Sequence, residues 1–373
     1  MRLCVDARTT FARHPRGTGK NLVDLYGEIA KVRPDWRFVM FHRGRNGKNP
    51  FEGCANISDQ GIDIKGDRFG LWSNLRLPLA VRAAKADLFH APANIGPRFP
   101  GAPMVATIHD LIPLEPALAT PDSARWGEAV RRTAHKASKI FTPSEYSKLK
   151  IVEFCAIAES KVVVNPWAPD RKCKRIEDAA QLAAVREKYG VACDSPYVFG
   201  FGSDMPRKNT EKVIRAWAEV PASLRDQRHL VLVGIREPAL GKFRALAEAL
   251  GVGESCRLHG FADEADIAAL LSGAAVLVFP SLSEGFGLPL LDAFICGAAV
   301  LTSDCTSLPE VAGDAAVLVD PRRTEAIADG LRQLLSDEGL RRDLVARGFE
   351  RVKAYTWEAC AQRVLGVFES VAG

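Results

Sequence analysis

Twice along this chain, short apolar runs alternate with stretches of helical periodicity, and that alternation leaves few folds open. In the first half the runs fall at 3–6, 37–42, 87–90, 105–109, 139–142 and 161–165, with helical patterns over 21–32, 74–85 and 126–137. Asn165-Pro-Trp-Ala-Pro169 then breaks regular structure, and a polar stretch with Arg171, Lys172, Lys174 and Arg175 follows. After it the alternation restarts. Strands are expected at 197–202, 230–234, 257–260, 276–281, 299–303 and 316–319, and helices at 210–219, 242–250, 264–272, 289–296 and 324–335. Strands parted by helices of this length require crossover connections, and crossovers make parallel sheets. The expected fold is α/β: two Rossmann-like parallel-sheet domains in series, 1–168 and 169–356, hinged at the proline-bounded segment. A chain of 373 residues suits two domains better than one.

Composition narrows the class. An apolar share of 47% and a charged share of 25% argue against wholesale disorder. No run of eighteen apolar residues offers a transmembrane helix. Met-Arg-Leu-Cys-Val-Asp at the start reads as a buried strand rather than a signal peptide, so a cytoplasmic protein is expected. The nine cysteines are scattered and lack Cys-x-x-Cys spacing, which points to buried free thiols. The net charge of +5 is uneven: residues 1–170 carry 25 Lys/Arg against 17 Asp/Glu, and residues 171–373 carry 25 against 28. The basic first half suits a phosphate-bearing acceptor or an acidic membrane surface, with an incidental surface bias as the other reading. There is no polybasic block, and no nucleic-acid partner is expected.

Several segments carry chemistry. In Phe279-Pro-Ser-Leu-Ser-Glu-Gly-Phe-Gly-Leu-Pro, an apolar strand ends, Glu284 precedes Gly285-Phe286-Gly287, and a helix begins with Pro289 in its first turn. Glycines let backbone approach a ligand, and a helix N-terminus suits phosphate or a sugar hydroxyl. Asp292 lies far enough along to hold the other end of an extended ligand. Gly200-Phe-Gly-Ser203-Asp-Met-Pro-Arg207-Lys208-Asn209-Thr210 places two cations beside a helix that Asn209 or Thr210 can cap, which suits a diphosphate. Preorganised cations stabilise the charge of a departing nucleoside diphosphate. Ser203 belongs to this donor loop. The first strand-to-helix loop holds Arg16-Gly17-Thr-Gly19-Lys-Asn, which matches neither the P-loop nor the dinucleotide fingerprint. His109-Asp110 ends a first-half strand, where His109 can bind the transferred sugar or position the acceptor, with a purely structural pair as the other reading. No Asp-x-Asp appears, so no metal or other cofactor is expected, and charge neutralisation falls to Arg207 and Lys208.

Together these segments resemble the retaining glycosyltransferases of family 4, with the GT-B fold. The resemblance spans nearly the whole chain. It is densest in Pro280-Ser-Leu-Ser-Glu-Gly-Phe-Gly-Leu-Pro-Leu-Leu-Asp, Cys296-Gly-Ala-Ala-Val-Leu-Thr-Ser, Leu308-Pro-Glu-Val-Ala-Gly-Asp and Arg207-Lys208-Asn209. It implies two domains facing across a cleft, the first for the acceptor and the second for the nucleotide-sugar donor, with a last helix, 357–373, packing back on the first. It implies that Glu284 contacts the donor hexose and that Asp292 holds the ribose, here with an Asp where the family has Glu. Arg207 and Lys208 map onto the diphosphate, Gly17 and Gly19 onto the glycine loop near the phosphates, and His109 onto the family's strand-end histidine.

Thr107-Ile-His-Asp-Leu-Ile-Pro resembles bacterial mannosyltransferases of polysaccharide assembly. That favours GDP-mannose over UDP- or dTDP-sugars, and a saccharide or polyprenyl-pyrophosphate-linked acceptor at the inner membrane face. Trp72, Leu75, Leu79, Arg76 and Arg82 share a helical pattern whose apolar members are expected in the core, with a membrane surface as the alternative. A sugar-nucleotide epimerase of the same fold and an inactive nucleotide-sugar-binding scaffold are the competing functions.

Overall fold

The computed structural model describes residues 1–12, 17–44, 49–62, 70–192, 195–226 and 228–373. The chain forms two compact units: Met1–Ala168 with Thr356–Gly373, and Pro169–Tyr355.

The first unit is built on seven strands: β1 (Arg2–Asp6), β2 (Arg37–His42), β3 (Ile57–Gly61), β4 (Leu88–Ala91), β5 (Met104–Thr107), β6 (Lys139–Thr142) and β7 (Val162–Val164). They pair in parallel in the order β3-β2-β1-β4-β5-β6-β7. Helices cover both faces of such a sheet, so its inner strands are buried on both sides and read as unbroken apolar runs. β4 and β5 are buried at every residue. The edge strand β3 (Ile-Ser-Asp-Gln-Gly) buries only Ile57 and carries no such run, which is why periodicity alone misses it. A short polar edge also discourages pairing with other chains.

The helical pattern expected over 74–85 is realised differently. A π-helical turn, Trp72–Arg76, runs into an α-helix, Leu77–Ala83. The wider turn brings Trp72 and Leu77, five residues apart, to the same inner side, where both are fully buried. Trp72 donates its indole N–H to the Ile62 carbonyl at 2.8 Å. Leu75 and Leu79, expected in the core, are 51% and 54% exposed, because the π turn gives the inner face to Trp72, Leu77 and Val81.

The chain returns to this unit through the helix Trp357–Ala372, whose Thr356 hydroxyl caps it by accepting from Ala359 N–H. Trp357, Cys360, Val364 and Phe368 recur at spacings of three and four and are buried, giving one apolar stripe. Phe368 meets the rings of His90 at 5.4 Å and Phe141 at 5.9 Å.

The second unit has six parallel strands: β8 (Tyr197–Phe201), β9 (His229–Val233), β10 (Cys256–Leu258), β11 (Val276–Phe279), β12 (Ala299–Ser303) and β13 (Ala316–Val319). Their order is β10-β9-β8-β11-β12-β13. A core around Trp217, Leu230, Val276, Leu301 and Leu331 fills one face. In both sheets the order reverses after the first strand, so β1/β4 and β8/β11 are switch points, where strand-end loops diverge and leave a ligand crevice.

Phe368→Ala removes a fully buried ring and should cost about 3–5 kcal/mol. Chemical denaturation followed by circular dichroism should show the first unit melting earlier, and a midpoint unchanged from wild type would contradict the docking of this helix.

Candidate functional site

At the β8/β11 switch point the loop after β8 folds back on itself. The Thr210 hydroxyl accepts from Ser203 N–H and donates to the Ser203 carbonyl, both at 2.9 Å. Pro206–Lys208 forms a single 3-10 turn, and Asn209 follows in the left-handed region at φ 60°. Asn209 stands where a helix cap is expected, but it does not cap. Its buried amide donates to the carbonyls of Pro280 at 3.0 Å and Pro321 at 2.7 Å, the loops after β11 and β13. Leu282 N–H donates to the Arg207 carbonyl at 2.7 Å. Three strand-end loops are thereby fastened together.

This fastening brings Arg207, Lys208 and Glu284 into one cluster. Lys208 Nζ lies 2.6 Å and Arg207 Nη1 2.9 Å from the same oxygen, Glu284 Oε1. Arg207 also reaches the Ser283 carbonyl at 3.2 Å, and Lys208 Nζ sits 4.6 Å from the centre of the Phe279 ring. All three side chains are less than one-fifth exposed. Burial pushes the Glu284 carboxyl upward, but Lys208 and Arg207, with help from Ser281, outweigh it and hold the group below its ordinary 4.5. Burial pulls the Lys208 ammonium below its ordinary 10.5, only partly opposed by Glu284. Two cations against one carboxylate leave a net positive, partly desolvated surface, which favours a polyanion.

Gly285, Phe286 and Gly287 lead into the helix Leu288–Cys296. Gly287 has φ 117°, and a Cβ there would come 2.7 Å from Leu308 Cδ2, so the turn requires glycine. The Phe286 ring is buried against Tyr355 at 5.9 Å, so this position offers a ligand its backbone rather than its ring. Ser307, not foreseen from any local pattern, shares its single hydroxyl proton between the carbonyls of Glu284 at 2.9 Å and Phe286 at 2.8 Å. Asp292 lies in the second turn of the helix, and its Oδ1 accepts from Asp170 N–H at 3.0 Å.

Gly17, Gly19 and His109 belong to the first unit. The glycine segment is not a loop: Gly17 opens the helix Gly17–Val32 and Gly19 is buried in its first turn, while Arg16 lies outside the described residues. β5 stops at Thr107, so His109 stands beyond the strand rather than at its end. Its N–H donates to Asn94 Oδ1 at 2.7 Å, its Nε2–H donates to the Pro92 carbonyl at 2.8 Å, and its ring stacks on Trp167. Burial lowers its pKa from 6.5, against smaller opposing effects of the Pro92 carbonyl and Asp110. Asp110 accepts from Ile112 N–H at 3.1 Å and so shapes the next turn. At the ends of β1 and β2, unforeseen from the sequence, Arg8 pairs with buried Asp6 at 2.6 Å, and both Arg8 and Arg43 lie over the Trp72 ring.

HepE from Anabaena, solved in complex with UDP-glucose, resembles this chain with a TM-score of 0.79 at 17% identity, over 99% of this chain and all of that one. The two parallel sheets in series are those of the GT-B class. Residues 183–351 match the family model described as glycosyl transferases group 1, and residues 17–170 match glycosyltransferase family 4. The chain is 31% identical over 370 residues to O-antigen chain mannosyltransferase B of Escherichia coli, covering 95% of this chain and 96% of that one. It is 31% identical over 270 residues to the serotype-specific mannosyltransferase WbdA of Escherichia coli, covering 71% of this chain and 33% of WbdA. The chain therefore belongs to the family 4, group 1 glycosyltransferases.

The Glu284 cluster has a pH signature. Its carboxyl titrates lower folded than unfolded, so the unfolded chain binds more protons in the window below about pH 4.5, and this part of the stability is lost as pH falls through the folded value. Glu284→Gln should flatten the acid limb of a urea-stability profile below about pH 4.5. An unchanged acid limb would contradict the ion pairing.

Proposed function

We propose that the protein is a retaining mannosyltransferase that moves mannose from GDP-mannose to a saccharide or polyprenyl-pyrophosphate-linked saccharide in cell-surface polysaccharide assembly. The observation that carries this reading is the Arg207–Lys208–Glu284 cluster at the β8/β11 switch point. The cations suit the diphosphate, Glu284 the hexose hydroxyls and Asp292 the ribose. The backbone of Gly285 to Gly287, with the Ser203 loop, suits close approach to the donor. The full-length likeness to a mannosyltransferase supports mannose as the transferred sugar. UDP- and dTDP-sugars are the next donors to test.

The chemistry needs no metal in this reading, since Arg207 and Lys208 supply the positive charge against which the diphosphate departs. The bond from the anomeric carbon to the phosphate oxygen breaks as the acceptor oxygen bonds to the same face. The acceptor's proton passes to the departing phosphate, and His109 binds a hydroxyl of the sugar or the acceptor. A trapped covalent glycosyl-enzyme would overturn this mechanism.

Thermal unfolding with GDP, UDP, dTDP, ADP and CMP, each with and without EDTA, tests the donor site. One nucleoside diphosphate at a hundredfold excess over its Kd should stabilise the fold by about 2.7 kcal/mol. EDTA should make no difference, and Arg207→Ala or Lys208→Ala should abolish the shift. No shift with any nucleotide would refute the assignment and favour the inactive scaffold, and product formed from a nucleotide sugar without acceptor would favour the epimerase.

The acceptor reading extends to an anionic bilayer. Leu71, Leu75 and Leu79 are 46%, 51% and 54% exposed, and Phe99 is 71% exposed. Arg98 N–H donates to Asn74 Oδ1 at 3.0 Å, which sets the Phe99 loop beside the leucines. Arg76, Arg82 and Arg98 are exposed around them. Apolar side chains ringed by cations suit an acidic lipid surface. Among the described residues no helix is long and apolar enough to cross a membrane. Leu75→Asp with Leu79→Asp should abolish co-sedimentation with phosphatidylglycerol vesicles, and equal wild-type binding to phosphatidylcholine vesicles would refute the charge requirement.

A further inference from the structure

His109 is held from three directions by two stretches of chain, the loop after β4 and the segment at Trp167. Asn94, itself left-handed at φ 61°, accepts from the His109 backbone N–H. The Pro92 carbonyl accepts from the ring, and because a carbonyl cannot donate, Nε2 must carry the proton. In the neutral ring Nδ1 is then a bare lone pair, and no group among the described residues hydrogen-bonds to it. The third restraint is the indole of Trp167, 5.8 Å away and tilted by 25°. Trp167 packs in turn on Trp357 at 5.9 Å.

The position of these indoles in the chain matters. The units divide at Ala168/Pro169 and again at Tyr355/Thr356. Trp167 stands just before the first crossing and Trp357 just after the second. The aromatic face against His109 is therefore supplied where the chain leaves the first unit, backed by the residue through which it returns.

We propose that Trp167 is a positioning residue for the transfer reaction: its indole, backed by Trp357, holds His109 as the Nε2–H tautomer and presents Nδ1 as a hydrogen-bond acceptor to a sugar hydroxyl. The proposal rests on the glycosyl-transfer reading above. It assigns the ring a direction of hydrogen bonding, since a hydroxyl must donate to Nδ1 and an imidazolium could not accept. Among the described residues, the titratable groups that act on His109 are Asp110 and His90. Asp110 follows it in the chain and favours the protonated ring. His90, on β4, is itself buried, its pKa pulled down to about 3, and bonded to Tyr26 at 2.5 Å and Thr107 at 2.8 Å, so it contributes no charge at neutral pH. Burial is the largest influence keeping His109 neutral, and the indole is part of what buries it. Removing the indole exposes more of the ring to water, so its pKa should rise toward 6.5.

The test uses the full chain labelled with 15N-histidine, with His109 assigned among the seven histidines by difference from His109→Ala. Wild type should show the Nε2–H tautomer and titrate below 6.5. Trp167→Leu should show mixed tautomers and a titration near 6.5, and Trp167→Phe, which keeps an aromatic face, should return to wild-type behaviour. In parallel, release of GDP from GDP-mannose should fall roughly tenfold to a hundredfold in kcat/KM for Trp167→Leu, with a new acidic limb near 6.5, and recover in Trp167→Phe. A wild-type Nδ1–H tautomer overturns the proposal without any variant having to fold. So does Trp167→Leu with unaltered titration and turnover. If His109→Ala itself leaves turnover intact, the failure lies in the role given to His109 and not in its positioning.

Discussion

A carboxylate that has lost most of its water must find its charge matched nearby, and Glu284 finds the match in two side chains from a different loop. Lys208 and Arg207 meet one of its oxygens at 2.6 and 2.9 Å. Leaving any one member uncompensated would strand a desolvated charge, which costs far more than the pair itself contributes. The loops after β8 and β11 must therefore be held in register, and the sheet order alone brings them only into the same neighbourhood. The finer setting comes from neutral groups. Asn209 ties its loop to the carbonyls of Pro280 and Pro321, and Ser307 gathers those of Glu284 and Phe286. The left-handed backbone at Asn209 belongs to this arrangement, since an asparagine tolerates that conformation better than most residues and its amide supplies both donors.

Much of this was open to reading in the sequence, for a physical reason. The inner strands of the second sheet, β8, β9, β11 and β12, show as apolar runs because nearly every residue of each is buried. Glu284, Arg207 and Lys208 show as charged residues beside glycines and helix starts. What stayed hidden was specified elsewhere in the chain. β3 is half polar because it lies at an edge. The helix Glu338–Val352 buries only Leu344, Gly348 and Val352, too thin a stripe to stand out. The exposure of Leu75 and Leu79 depends on a π turn that spacing rules for α-helices do not anticipate. That Ser307 donates to carbonyls more than twenty residues upstream follows from strand order, not from any local pattern.

The residues flanking the two crossings between units are unusually engaged with the candidate site. Before the first crossing Trp167 stacks on His109, and after it Asp170 N–H donates to Asp292. Before the second, Tyr355 meets Phe286, and after it Trp357 meets Trp167. Arg351 steadies Tyr355 by donating to its hydroxyl at 3.0 Å while also reaching the Glu310 and Val311 carbonyls. Each contact lies within one unit.

The acid at 292 belongs to the same arrangement. An aspartate in the second turn of the helix keeps its carboxylate near the helix backbone, where Oδ1 is 3.0 Å from the N–H of Asp170, the second residue of the second unit. A glutamate would carry its oxygens one methylene further, and to make the same contact it would have to fold back. The Asp292 carboxylate is thus tied to the connector, and the same side chain stands between the chain's entry into the second unit and the helix that follows Glu284.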